Sequence, residues 1–171
     1  MRINKWLLIK TIRKELIKLS KILERIKQLG LNLPDAPAPA ANYVPFMISN
    51  KLIFVSGQIP MIENKLVQGK VGFDIDIPEA ILAAKACGLA IIAQLNSATN
   101  NNLDNIKRII KLGGFVNSAD DFTQHPEVIN GASDLMVEVF GKLGNHSRFA
   151  VGSSSLPRGV AVEVEAIAEI H

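Results

Sequence analysis

Residues 78 to 99, from Pro78 through Lys85, Cys87 and Leu95 to Thr99, are apolar nearly all round a helical wheel. A helix on a protein surface keeps a polar side, so one without it has to be covered on most sides. Asp76-Ile-Pro78-Glu79 marks its start, with an Asp in the N-cap position and a Glu three residues later. The longest apolar stretches are interrupted by charge, Lys10 in one and Lys85 in the other, and neither is expected to span a bilayer. A chain of 171 residues with 48% hydrophobic content can bury such a helix within one domain.

The covering layer is read from alternation. In a strand successive side chains point to opposite faces. Arg148 to Val151 and Val160 to Ala166 read as two short strands joined by a Ser/Pro/Gly turn. Phe149 and Val151 share one face of the first, Arg148 and Ala150 the other. On the second, Val160, Val162 and Val164 leave Glu163 and Glu165 on the opposite face. If both strands belong to one sheet, Arg148 and Glu163 are expected on the same side. That would make an anchor for a small carboxylate beside a proton-transfer group, or else a solvated surface ion pair, which the pattern alone favours. Asn42 to Phe46 leads into a first strand, Leu52 to Ser56 forms another ending at Gly57, and Glu63-Asn64-Lys65 is a turn. Ile106 to Val116 reads as a strand with a bulge at Gly113-Gly114. Pro126 to Leu143 reads as a second long helix, with Val128, Ala132, Leu135, Met136, Val139 and Leu143 on one face. The order of elements predicts an α+β domain with both long helices on one face of a mixed sheet.

The net charge of +3 is unevenly distributed. Residues 1 to 30 hold nine Lys/Arg against Glu15 and Glu24, whereas the rest holds ten against fourteen Asp/Glu. The first thirty residues form a basic amphipathic helix, about Asn4 to Leu29, with Leu8, Ile12, Leu16, Leu19, Leu23 and Ile26 recurring at spacings of three and four. Gly30 is its C-cap and Pro34 bars continuation. Packing on its own domain or another subunit, contact with a membrane or nucleic acid, and targeting all remain open for it. A Pro/Ala-rich linker, 31 to 41, then precedes the main domain, 42 to 171. That domain is mildly acidic and the chain has only 5% aromatics, so it is poorly suited to track phosphates or stack bases, and no DNA partner is expected.

Other chemistries find little support. One cysteine, Cys87, excludes an intramolecular disulfide and a multi-Cys zinc site, and its small apolar neighbours suggest burial. His125, His146 and His171 share no spacing, and solvated or capping roles are expected for them. Gly69-Lys70 lacks the flanking residues of a phosphate loop, and Ser153 to Ser155 is ordinary turn chemistry. No metal or cofactor is expected. No apolar core ends in a small-residue cleavage site, so a cytoplasmic protein is the expectation.

Several segments together resemble the signature of the Rid/YjgF family of imine deaminases, small trimeric proteins once taken for ribonucleases. They are Asn42-Tyr43-Val44-Pro45, the run Phe54 to Pro60 containing Ser56-Gly57-Gln58, Val128-Ile129-Asn130-Gly131, Arg148, Leu156-Pro157 and Glu163-Val164-Glu165-Ala166. The resemblance covers roughly residues 31 to 171. It implies a fold similar to trimeric chorismate mutase, with three sheets wrapped into a central barrel and sites in the clefts between subunits. It also implies hydrolysis of reactive 2-imino or enamine acids, such as 2-aminoacrylate and 2-iminobutyrate, to 2-keto acid and ammonia without a cofactor. In that scheme Arg148 grips the substrate carboxylate and Glu163 handles protons. Ser56 and Gly57 approach the substrate, and Tyr43, from the adjacent subunit, and Asn130 line the pocket. Ala150 stands where archetypal members often carry Cys, and His146-Ser147 where they carry Pro-Ala, which points to a divergent subfamily. The alternatives are a non-catalytic binder of small 2-keto or amino acids, and an RNA-binding or RNA-cleaving protein.

Overall fold

The computed structural model describes residues 20–37 and 42–171. After a short helix α1 (Lys21–Gln28) come strands β1 (Phe46–Ser49) and β2 (Leu52–Gln58) and a small hairpin, β3 (Met61–Ile62) and β4 (Lys65–Leu66). Helix α2 (Ile77–Ala98), strand β5 (Ile106–Asn117), helix α3 (His125–Phe140) and strands β6 (Ser147–Ser153) and β7 (Val162–Ile170) complete the chain. The five long strands form one sheet in the order β1-β2-β7-β5-β6. Only β5 and β6 run parallel, and α3 supplies the crossover between them, so the sheet is mixed as expected.

Both long helices lie on one face of that sheet. Val162, Val164, Ala166 and Ala168 of β7 and Leu112 and Val116 of β5 are 0–2% exposed beneath them. Asp76 caps α2 by accepting a hydrogen bond from the Glu79 N–H at 2.9 Å. Its alanines and isoleucines face sheet and partner helix alike, which is why its composition has no polar side. α2 has the length and mean hydropathy (1.5) of a membrane span, unlike the reading taken from its lysine, yet most of it is buried in this core. The helices approach closely where Gly131 meets α2, since a Cβ there would overlap the Ile81 carbonyl oxygen.

Four details differ from expectation. Gly113 and Gly114 are in register opposite Glu165 and Val164, and the irregularities of β5 fall earlier, between Ile106 and Arg108 and between Ile109 and Lys111. These glycines serve close packing instead: a Cβ on Gly113 would lie 2.6 Å from Phe149 Cζ, and one on Gly114 2.6 Å from Ile129 Cδ1. α3 ends at Phe140, and Leu143 sits 44% exposed in the 3-10 turn Gly141–Gly144 rather than on the buried face. The last strand, expected from Val160, begins at Val162 and runs on to Ile170, so Val160 lies ahead of it.

The fourth concerns the N-terminal helix. Ser20 is extended (φ −51°, ψ 134°), so α1 starts afresh there instead of continuing from Asn4. Leu8, Ile12, Leu16 and Leu19 lie outside the described residues. The start of α1 is held by Asp104, 82 to 84 residues away: Oδ1 accepts from Ser20 Oγ (2.7 Å) and the Ile22 N–H (3.1 Å), and Oδ2 accepts from the Lys21 N–H (3.0 Å). Although burial opposes ionisation, those hydrogen bonds and the Lys21 charge hold the Asp104 carboxyl below its ordinary range. Ile26 is 3% exposed, and Arg25 Nε donates to the Glu138 carbonyl of α3 at 3.2 Å. Described as far as Ser20, this segment packs on its own domain. Gly30, at φ +67°, ends it as glycine can.

Candidate functional site

Glu163 sits on the face of the sheet that no helix among the described residues covers, opposite Phe115 of β5. On its other side β2 carries a bulge. Val55 pairs with Ala166 and Gln58 with Val164, leaving Ser56 and Gly57 together against Glu165. The missing side chain at Gly57 makes room for the Glu163 carboxyl: a Cβ there would overlap Oε1 and lie 2.9 Å from Cδ. The loop before β1 is tied to the same bulge, because Ser56 Oγ donates to the Val44 carbonyl (2.8 Å) and the Ser56 N–H to the Pro45 carbonyl (3.0 Å). Tyr43, next in chain to Val44, is 48% exposed beside it. Burial first, and the neighbouring Glu165 charge second, push the Glu163 carboxyl above its ordinary range. A carboxyl so placed exchanges a proton nearer neutrality than a solvated one does.

Arg148 belongs to the opposite face. In the parallel pairing it aligns with Leu112, which aligns with Ala166, and both of these are buried under the helices. Its guanidinium reaches α3, where Nη1 donates to Asn130 Oδ1 at 2.8 Å and to Ser133 Oγ at 3.0 Å. Positions 130 and 133 are three apart and so share one side of the helix. Ala150, two residues on, points the same way, in register with Gly114 and Val164 and partly buried against the core. β6 is an edge strand, so this arginine stands at a margin of the sheet.

The expectation that Arg148 and Glu163 share a side is therefore corrected. The two strands are not neighbours: β5 lies between them, and its register puts Arg148 in a row with Leu112 and Glu163 in a row with Phe115. Within one chain the predicted residues form two groups, Ser56, Gly57 and Glu163 with Tyr43 nearby, and Arg148 with Asn130 and Ala150. Two surface cavities lie apart from both. One of about 470 Å³ is bounded by Leu33 to Ala36 and the end of α2, and one of about 240 Å³ is bounded by Ser118, His125 and Gly152 to Ser154.

Two residues that sequence reasoning passed over join the arginine group. His146 is partly exposed and does more than cap: Nδ1 lies 2.6 Å from the carbonyl of Gly144, the last residue of the 3-10 turn, and Nε2 lies 3.1 Å from Ser133 Oγ. Ser133 is thus shared between His146 and Arg148. Nothing in the spacing of a lone serine and a lone histidine signals this, because α3 and the turn after it bring them together. His125, the first residue of α3, contacts Ser118 Oγ at 3.1 Å, and Lys70 Nζ donates to the Ser118 and Ser154 carbonyls. Ser153 Oγ donates to the Ser155 carbonyl, as turn chemistry predicts. Among the described residues no three His, Cys, Asp or Glu side chains cluster as a metal site.

Comparison with known proteins agrees with this fold. Residues 23–170 match the family described as "YjgF/chorismate_mutase-like, putative endoribonuclease". Protein TCP17 of Trypanosoma cruzi is 42% identical over 153 residues, covering 88% of this chain and 95% of that protein. Among solved structures, the protein Atu1372 of Agrobacterium tumefaciens, of unknown function, superimposes with a TM-score of 0.81 at 48% identity, covering 88% of this chain and 94% of its own. An endoribonuclease-like protein of Shewanella oneidensis MR-1 gives 0.84 at 35% identity, covering 87% and 99%.

Proposed function

Because this chain belongs to the YjgF/chorismate-mutase-like family, we propose that it hydrolyses reactive 2-imino and enamine acids, at sites each assembled from two protomers of a homotrimer. The observation that carries the reading is the division of the predicted residues. A guanidinium anchored at the edge of one face and a carboxyl of raised proton affinity on the other face serve one ligand only if different subunits supply them. The open face suits burial against further copies, since Phe54, Phe115 and Val151 on it are 36–44% exposed.

In this scheme the substrate carboxylate lies along the Nε/Nη2 edge of Arg148, the edge left when Nη1 is bound to α3. Two parallel hydrogen bonds suit a planar carboxylate and hold the adjacent C=N carbon in place. Glu163 of the neighbouring protomer takes a proton from water as its oxygen bonds to that carbon and the C=N π pair passes to the protonated nitrogen, leaving a carbinolamine. The same carboxyl then gives that proton to nitrogen, the C–N bond breaks with its pair leaving on ammonia, and the hydroxyl proton passes back to the carboxylate or to solvent as the carbonyl of the 2-keto acid forms. Positioned proton transfer of this kind contributes roughly 10²- to 10⁴-fold. The test is ammonia release from imines generated in situ by an amino-acid oxidase. The protein is expected to exceed buffer, and Arg148→Ala and Glu163→Gln are each expected to remove the excess. A protein that binds a 2-keto acid through Arg148 but releases no ammonia above buffer would be a carboxylate binder, and the catalytic reading would fall.

A further inference from the structure

Arg148 is not held by backbone or by an acidic partner but by a short relay of neutral groups. We infer that Ser133 and His146 are positioning residues of the carboxylate site, fixing the guanidinium so that its free edge meets the ligand. The inference rests on the reading of Arg148 given above and adds two residues that this reading does not require.

The hydrogen-bond roles follow from donor and acceptor capacity. The Gly144 carbonyl only accepts, so the 2.6 Å contact makes His146 Nδ1 the protonated nitrogen. In the neutral ring Nε2 is then an acceptor, and the Ser133 hydroxyl donates to it across 3.1 Å. With its proton directed at the imidazole, Ser133 Oγ offers its lone pairs to Arg148 Nη1 at 3.0 Å. Asn130 Oδ1 takes the second Nη1 proton at 2.8 Å. Both Nη1 protons are thereby used on α3, and the planar guanidinium cannot turn without breaking one of them. The Nε and Nη2 protons, which bond nothing else among the described residues, are left pointing away from the helix. An arginine on a flexible stem otherwise loses side-chain entropy each time it orders around a ligand. Here that ordering precedes binding, which is the general route by which preorganisation raises affinity.

The experiment measures the dissociation constant of pyruvate, as a 2-keto acid probe, alongside KM and kcat for ammonia release. His146→Ala and Ser133→Ala are each expected to weaken pyruvate binding and raise KM by about 3- to 10-fold, the effect of one neutral hydrogen bond, with kcat nearly unchanged. Because both act through one bond, the double variant is expected to be no weaker than Ser133→Ala alone. His146→Gln, whose carboxamide oxygen can replace the Nε2 acceptor, is expected to restore binding, an effect that a merely structural role would not produce. Thermal melting identifies any variant that misfolds, and if His146→Ala does, the Ser133→Ala and His146→Gln arms decide. Wild-type affinity in Ser133→Ala, additive losses in the double variant, or no restoration by glutamine would each overturn the proposal while Arg148→Ala still abolishes binding. Unchanged pyruvate binding in Arg148→Ala would overturn the reading beneath it as well.

Discussion

Two variants that are each inactive should restore one another when mixed. Arg148 and Glu163 face opposite sides of a single sheet, so any ligand that meets both must draw them from different protomers. In a closed ring of identical subunits every interface is the same heterologous contact, with the arginine group of one protomer against the glutamate group of the next. When Arg148→Ala and Glu163→Gln chains assemble at random in equal amounts, about one interface in four has both native residues, by the statistics of a heterologous ring. Another quarter lacks both, and the remainder lack one. Loss of the positioned acid–base group at Glu163 costs roughly 10²- to 10⁴-fold, and loss of the Arg148 clamp costs about as much by releasing the carboxylate from its position, so each parent should run at or below about a hundredth of the native rate. The mixture should recover about a quarter of it, well above either parent. The assay is ammonia release from an imine made in situ, after unfolding and refolding the two chains together, with differently tagged copies and native mass spectrometry to verify mixed oligomers. Mixed oligomers that form without recovered activity would refute the composite site. With both residues then required in one chain, on opposite faces, the deaminase reading would have no geometry left.

Gly57→Ala should inactivate without unfolding. A Cβ there would stand 2.9 Å from Glu163 Cδ, roughly half an ångström inside ordinary contact, but it meets a side chain that can swing away. kcat/KM should fall about 10- to 100-fold with little change in melting temperature, and native turnover in this variant would show that the placement of Glu163 is immaterial. The acidic limb of the pH–rate profile should lie above the ordinary Glu value of about 4.3, because a raised carboxyl must lose its proton to act as base. Glu165→Gln removes the like charge that contributes to this and should move the limb down in pH, and a limb that stays put would assign it to another group. Asp104→Ala should cost about 1 kcal/mol near pH 7 by removing the acceptor at the start of α1, seen as lost hydrogen-exchange protection over residues 21 to 28. The folded pKa of Asp104 is depressed, so its contribution is present above the unfolded carboxylate value and disappears as pH falls through the folded one. A variant equally protected at pH 7 would show that Ile26 packing and the Arg25 contact with α3 hold α1 without Asp104.

Much of the fold is legible from periodicity. The all-round apolar run reads as a helix covered on most sides, and Asp76 with Glu79 announces where it begins. Alternation in β7 separates Val162 and Val164 from Glu163 and Glu165 correctly, because it needs only the pleat of one strand. What escapes is whatever depends on distant partners. The break at Ser20 is decided by Asp104, more than eighty residues away, while the local spacing of Leu19, Leu23 and Ile26 reads straight through it. Gly113 and Gly114 look like a bulge because glycine in a strand commonly marks one. They are in fact the floor beneath Phe149 and Ile129, and neither ring nor side chain is a sequence neighbour.

The relation between Arg148 and Glu163 escapes for a deeper reason. Alternation tells which residues of one strand share a side but not which sides of two strands coincide; that is set by register through every strand between them. Here the intervening strand is β5, and its pairing is pinned by shape. Phe149 lies over Gly113, where no side chain competes, and meets Phe115 edge-on with ring centroids 5.2 Å apart. Ala150 packs toward the core over Gly114, where Ile129 fills the space. A slip of one residue would drive Phe149 toward the helices and turn Arg148 to the open face beside the glutamates. The two glycines of β5 therefore do more than admit bulky neighbours. By fixing the parity of β6 they keep the guanidinium apart from the carboxyl of its own chain, where the two would neutralise each other as an ion pair. On the reading proposed above, that leaves each group available to a site completed by a second subunit.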